Sequence, residues 1–365
     1  LKSDQLFVNL GPQHPSTHGV LRVGLTIEGE IVVKAVPEIG YLHRGTEKLA
    51  ELRGYHQCVV ISDRWDYLSA MNNNLVFCLA AEKLMKVEVP ERASHLRVIM
   101  CELNRIASHL LFFGTFGIDM GAFTAFLHAF REREMVLDLF EMACGARLTY
   151  NYIRLGGVMK DPPEAWFAKC REFLAYFKPR LKEYDELLSF NPIFMDRTRG
   201  VGAISAAAAV DWGLSGPNLR ASGVSYDARK SEPYCSYEKY DFEVPLGEKG
   251  DCWDRYYCRV REMHESVKIV EQALAKMQPG AVLGKGVAKV PKPPPGEAYA
   301  HVEGARGDLG CLLVSDGNAS PYRLHIRAPS FINLAILQEM LVGERMSDVI
   351  AILGSIDIVL GEVDR

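Results

Sequence analysis

Hydrophobic and polar positions alternate near the start of the chain. Phe7-Val8-Asn9-Leu10 reads as a strand, and Leu21, Val23, Leu25 and Ile27 alternate with more polar neighbours at the period of a half-buried strand. Gly29-Glu30 supplies a turn into Ile31–Val36, so the pattern predicts a hairpin. From about Gly45 the period lengthens. Leu96, Ile99, Met100, Leu103, Ile106, Ala107 and Leu110 recur at helical spacing, with Pro90 suited to the first turn. Further helices are predicted near 46–57, 62–86, 122–145, 163–189, 255–278 and 330–342. In the 255–278 stretch, Val260, Met263, Val267, Val270, Leu274 and Met277 follow steps of three and four. Long helices with short connections predict a central bundle. The Gly-, Ser- and Pro-rich stretch 201–250 predicts irregular structure with short strands. Val290–Gly296 predicts an extended, solvated passage ahead of strands over Tyr299–Val302 and Cys311–Val314.

Composition narrows the function classes. The 365 residues are 48% hydrophobic and 24% charged, enough to bury a large core, and 42 basic against 46 acidic side chains leave a net charge of −4. Without a broad basic field, nucleic acid is not an expected partner. No uninterrupted apolar run predicts a membrane span. The chain opens at Leu1 without a charged-then-apolar leader, so the expectation is a fragment of a cytoplasmic protein. Nine cysteines are scattered along the chain, none at Cys-x-x-Cys spacing, which argues against a disulfide framework and against a zinc or iron–sulfur site in this chain alone.

Several groups could carry chemistry. His14 and His18 share a loop stiffened by Pro12 and Pro15. Either the imidazoles cap nearby backbone in a rigid turn, or one is held beside a ligand that needs a protonatable donor. Between Ile106 and Phe130, Asp119 is the only formally charged residue. A carboxylate in such apolar surroundings needs pairing, hydrogen bonds or a proton. It could cap the helix that follows or pair with a buried partner such as a histidine. Arg64-Trp65-Asp66-Tyr67 places a phenol and charges on an expected helix start, where Tyr67 could offer a donor to a carbonyl. Arg44 in Tyr41–Lys48 could serve an anionic group or a surface ion pair.

These motifs, in this order, carry a resemblance. Gly11-Pro12-Gln13-His14-Pro15-Ser16-Thr17-His18-Gly19-Val20-Leu21-Arg22 closely resembles the signature of the quinone-site subunit family of respiratory complex I, the D subunits of bacterial NADH:quinone oxidoreductases. The likeness continues through Gly40–Lys48, Asp63–Tyr67, Arg131–Glu134, Tyr152–Val158, Gly250–Asp254, Val314–Gly317, Arg327–Phe331 and Gly354–Arg365. It implies an α+β fold like the large subunit of nickel–iron hydrogenases, as a single domain over 1–365. The expected parts are an N-terminal antiparallel β part over 1–44, a helical bundle over 45–200 and a mixed α/β part over 201–365. Hydrogenases hold their metals with two Cys-x-x-Cys pairs. The corresponding positions here are Asp66, Ser69, Val359 and Glu362, which lack the soft sulfurs that chemistry requires. The resemblance implies that the old metal cavity forms part of a quinone pocket.

By position, His18 and Tyr67 resemble the pair that hydrogen-bonds the quinone headgroup, and Asp119 the carboxylate that pairs with that histidine. His14 and Gly19 belong to the same binding loop. Arg44 resembles the arginine beside a 4Fe–4S cluster held by a partner subunit. The implied partners are the iron–sulfur B subunit, the C and I subunits, and the H and A subunits of the membrane arm. The implied location is peripheral, on the cytoplasmic side of the inner membrane, in a proton-translocating complex. A reduced-deazaflavin- or ferredoxin-driven relative with the same site, or a docking scaffold without catalysis, stays open at this point.

Two departures stand out. Relatives carry a longer segment where Val290 meets Pro291–Gly296, so either the loop is shorter here or a stretch is missing from the sequence. Thr149 stands where many members carry a histidine near the cluster. Without that titrating group the cluster potential depends less on pH and lies lower, which suits a low-potential acceptor such as menaquinone. A redox titration of the assembled complex across pH is therefore expected to show weak proton coupling at the cluster; strong coupling would contradict this reading.

Overall fold

The computed structural model describes residues 5–14, 16 and 19–365. Strands Gln5–Leu10, Arg22–Glu28 and Ile31–Glu38 form an antiparallel sheet in chain order, with Val8 opposite Leu25 and Leu25 opposite Ala35. The alternating residues Leu21, Val23, Leu25 and Ile27 are all buried, as their period requires. Gly29 closes the hairpin at φ +64°, in the left-handed region that glycine adopts without strain.

The sheet does not stand alone. Its inner face shares one hydrophobic cluster with Leu334, Leu337, Val349, Ile352 and Leu360 from the far end of the chain. Backbone hydrogen bonds from Val32 to Glu344 and from Gly343 to Val32 stitch the two ends together. The second and larger cluster joins the long helices Ala70–Met85, Glu91–Asp119, Phe123–Cys144, Glu164–Tyr184 and Cys252–Lys276. A C-terminal antiparallel sheet, Gly296–Glu303, Asp308–Ser315 and Arg323–Arg327, packs against it.

Four expectations need correction. The predicted 62–86 helix begins only at Ala70, because Asp63–Ser69 is a tight loop. That loop is pinned by polar side chains: the Asp66 carboxylate accepts from the Leu68 N–H, the Asn73 amide donates to the Asp66 carbonyl, and the Asn104 amide donates to the Leu68 carbonyl. The 46–57 helix likewise divides, into Thr46–Glu51 and Tyr55–Ser62, at Gly54. Residues 201–250 contain short helices rather than strands, started by Ser205 and Asp227 caps and by Pro217 in a first turn. In the passage before the C-terminal sheet, Pro291 and Pro293 are buried while their neighbours face solvent.

The 29-residue helix Glu91–Asp119, about 43 Å long at 1.5 Å per residue, is buried on more than its apolar face. Arg97, Glu102, Arg105 and His109 are also sequestered. Helix Cys252–Lys276 carries a matching polar stripe, Arg255, Arg259, Glu262 and Ser266, at helical spacing. The stripes meet in antiparallel order. The Ser266 hydroxyl donates to Glu102 at 2.6 Å, His109 Nε2 lies 2.9 Å from Glu262, and Arg105 lies 3.8 Å from the same carboxylate. Arg220 completes the pairing of Glu262. Against burial, which raises it, Arg220 and His109 hold the Glu262 carboxyl well below the usual carboxylate range. Burial in turn lowers His109.

Removing one partner of such a network leaves buried charge uncompensated. Glu262→Ala is expected to destabilise the chain by about 3–5 kcal/mol, seen as loss of this chain from assembled membranes. Lys178→Ala removes a surface pair to Glu271 between two of the same helices, with both side chains more than a third exposed. It should cost no more than about 1 kcal/mol.

Candidate functional site

The last helix of the main body, Val349–Ile356, is followed by Asp357 at φ +60° and by the short terminal helix Leu360–Asp364. Asp tolerates this left-handed conformation, which turns its carboxylate toward two buried guanidiniums. The segment from Gly354 to Arg365 then packs against Asp119, Gly19, Tyr67 and Arg44.

Asp119 ends its helix beside this segment. A Cβ added to Gly354 would lie 3.3 Å from Asp119 Oδ2 and 3.0 Å from Phe116, so the glycine gives the carboxylate room for a close approach. Asp119 does not cap the next helix, whose N-cap position is Ala122. The loop after the first strand lies along the same segment: at Gly19, with φ +129°, a Cβ would meet Leu360 at 3.1 Å. His14 pairs across that loop with Gly19, and its Nδ1 accepts the Ser16 N–H at 3.2 Å, the backbone-capping arrangement. His18 lies outside the described residues. Tyr67, half-buried, rests against Gly361, where an added Cβ would come within 3.1 Å of its ring and 2.7 Å of the Trp65 carbonyl. Burial and the adjacent Asp66 carboxylate raise the Tyr67 phenol above its ordinary pKa, so it stays a protonated donor.

Arg44 reaches the same place from outside. Its guanidinium donates to the carbonyls of Arg64 at 2.7 Å and Gly361 at 3.0 Å, and its N–H donates to the Arg365 carbonyl. Partial burial and the neighbouring Arg64 lower its pKa. Asp364 holds the turn that carries Arg44, accepting from the N–H groups of Gly40 at 2.8 Å and Leu42 at 2.6 Å. An open cleft of about 440 Å³ runs beside it, lined by Ile39, His43, Glu47, Arg323, Asp364 and Arg365.

Asp66, Ser69, Val359 and Glu362, which the sequence resemblance sets against hydrogenase thiolates, are all buried. Two of them, Asp66 and Glu362, lie beside a buried guanidinium. Arg306, at the tip of the hairpin between strands Gly296–Glu303 and Asp308–Ser315, donates to Asp66 at 2.6 Å, to Asp357 at 3.3 Å and to the Ser108 hydroxyl at 3.1 Å. Arg259 stands 3.5 Å from the other oxygen of Asp357. Arg105 donates to the carbonyls of Glu303 and Gly304, and Asn333 to that of Arg306, so the tip is fixed from both sides. These residues do not fit a nickel–iron centre: Val359 offers no side-chain donor, and Arg306 brings a fixed positive charge into the midst of the carboxylates.

Sequence reasoning missed Arg306, Asp357 and Arg259. Only Arg259 leaves a sequence signal, charge at helical spacing in the 255–266 stripe, while Arg306 at a hairpin tip and Asp357 in a turn follow no local pattern. Pattern alone reads such a stripe as a solvated face.

Comparison with known proteins completes the picture. The family model described as respiratory-chain NADH dehydrogenase, 49 Kd subunit, matches residues 119–291 and 284–365. The D subunits of NADH-quinone oxidoreductase from Bacillus mycoides (strain KBAB4), Bacillus anthracis and Bacillus cereus are each 53% identical over 365 residues. The alignments cover the whole of this chain and the whole of each relative, leaving no room in those relatives for a longer passage at Val290–Gly296. The chain therefore belongs to the family of the 49 Kd subunit of respiratory-chain NADH dehydrogenase, known in bacteria as the D subunit of NADH-quinone oxidoreductase.

Proposed function

We propose that the chain forms one wall of the pocket in which quinone is reduced, acting within an NADH-quinone oxidoreductase and inactive by itself. The observation that carries this reading is convergence: Tyr67, Asp119, Arg44 and the Gly19 loop all bear on Gly354–Arg365, although they are scattered over the first third of the chain. Reducing a quinone to a quinol takes two electrons and two protons. Tyr67, kept as a neutral phenol by its surroundings, donates a hydrogen bond and then a proton to one quinone oxygen. His18 serves the other oxygen, and Asp119 pairs with His18 so that the imidazole can carry its proton. Once His18 has lost its charge, Asp119 is released, which is a local electrostatic change able to bias a coupling element.

Arg44 lies at the exposed rim of this site, where its cation would stabilise added negative charge on a cluster held by the iron–sulfur partner. That cluster supplies the electrons when the complex is assembled. Among the described residues no helix is long and apolar enough to cross a membrane, so in this reading membrane contact and proton translocation come through partner subunits, with this chain peripheral on the cytoplasmic side.

Three substitutions test the reading in the assembled complex. Tyr67→Phe should lower quinone turnover by about 10²-fold or more, while NADH oxidation by an artificial acceptor upstream is unchanged. Normal quinone turnover in this variant would instead favour a docking scaffold. Asp119→Asn should lower the protons pumped per quinone reduced; an unchanged ratio would contradict its coupling role. Gly361→Ala, by pushing on Trp65 and the Tyr67 ring, should raise KM for quinone without loss of assembly, as measured by steady-state kinetics.

A further inference from the structure

Three carboxyl groups meet beneath Tyr67: Asp66, Asp357 and Glu362. Two guanidiniums face them, Arg306 between Asp66 and Asp357, and Arg259 beside Asp357. All five side chains are buried. Both aspartates are engaged by direct ion pairs. Glu362 is not: its oxygen Oε2 accepts the backbone N–H of Ser330 at 3.0 Å, and the hydrogen bonds of Arg306 go to Asp66, Asp357 and Ser108. Arg259 cannot supply the missing charge, since it is committed to Asp357 and to the carbonyls of Ser355 and Ile356. Three carboxylates against two cations leave one anion in excess in a dry interior, and the lowest-energy arrangement carries one proton.

The groups facing Glu362 are Asp66 from the loop after Ser62, Arg306 from the hairpin tip, and Ser330 from the helix Pro329–Ala335. Arg44 covers the Gly361 carbonyl, and Asp357 and Asp364 lie on its own segment. Burial and the Asp66 charge push the Glu362 carboxyl up to about 7, with Ser330 and Arg306 opposing. The cluster is also within reach of the phenol, whose proton affinity Asp66 raises and Arg306 lowers.

We propose that Glu362 is a proton store for the pocket, holding one proton in the Asp66–Arg306–Asp357 cluster and returning it to Tyr67 after each turnover. This rests on Tyr67 being a donor to quinone. The Tyr67 O–H bond breaks as a quinone oxygen gains the proton. The tyrosinate then takes a proton from the Glu362 carboxyl, and the carboxylate is refilled from water. The electrons come from the oxidation of NADH by the complex, and none resides on Glu362. Glu362 acts through Tyr67, as a positioning and proton-holding residue. Because the donating form is the protonated one, the contribution is full below the Glu362 pKa and is lost as pH rises through it.

The test uses the assembled complex. In the wild type, infrared difference titration should show a protonated carboxyl band disappearing near neutral pH, and quinone turnover should fall over the same range. Glu362→Gln keeps the volume and the acceptor for Ser330. It should remove the band, slow turnover several-fold at about pH 6 and have little effect at about pH 9, flattening the profile. A Glu362→Gln profile that keeps the wild-type alkaline fall overturns the store. So does the absence of the band from wild-type complex, which decides the matter even where the variant fails to assemble. Fast turnover in Tyr67→Phe with the band intact marks a different failure, that of Tyr67 as donor, and the relay falls with it.

Discussion

Arg306 holds Asp66 at 2.6 Å and Asp357 at 3.3 Å in the interior of the protein, and it stands 240 positions along the chain from Asp66. A guanidinium is suited to this because its fixed planar donors satisfy two carboxylates at once and it cannot shed its charge. Against the burial that would lower it, Asp357 and Asp66 raise its pKa further. The pairing sets the loop that presents Tyr67 and the start of the segment that packs against Asp119, Gly19 and Arg44. Were the hairpin tip to withdraw, two buried carboxylates would lose their counter-ion together, so tip, loop and terminal segment form or fail as a unit.

This cluster is one end of a longer polar seam. From Asp66 and Asp357 it passes through Arg259 to Glu262, His109 and Arg220, and on to Glu303, Asp227, Arg229 and Glu102. A seam of charges between two apolar helices adds less stability than hydrocarbon of the same volume would. It does fix the register of helix Glu91–Asp119 against helix Cys252–Lys276, since each carboxylate has its own cations to find. That register decides where Asp119 emerges relative to Gly354, and so links the deep core to the geometry of the pocket.

Much of the architecture was legible because it obeys simple periods. The alternation at Leu21–Ile27 gave the first sheet, and steps of three and four gave the long helices. The resemblance set Tyr67 and Asp119 at a quinone site and Arg44 beside a partner's cluster, and the structure describes all three against one terminal segment. What escaped was whatever depends on distant partners. The loop Asp63–Ser69 stands at the start of a stretch, 62–86, that reads as one helix, and it is held out of that helix by side chains of Asn73 and Asn104 that no local pattern reveals. The strand Arg323–Arg327 alternates over too few residues to be noticed. The charged stripe at Arg255–Ser266 looks solvated until its partners on the neighbouring helix are known. Glu362 was recognised as a lost ligand position, but its proton-holding environment required Arg306 and Ser330 in place.

The central claim is that a quinone headgroup sits against Tyr67 beside the loop that carries His18. A photoreactive quinone analogue bound to the assembled complex and mapped by peptide mass spectrometry tests it most directly. The account predicts that the label falls on peptides containing Tyr67 and the Gly11–Gly19 loop, and that excess quinone suppresses it. Labelling confined to other subunits, with this chain unmarked, would contradict it.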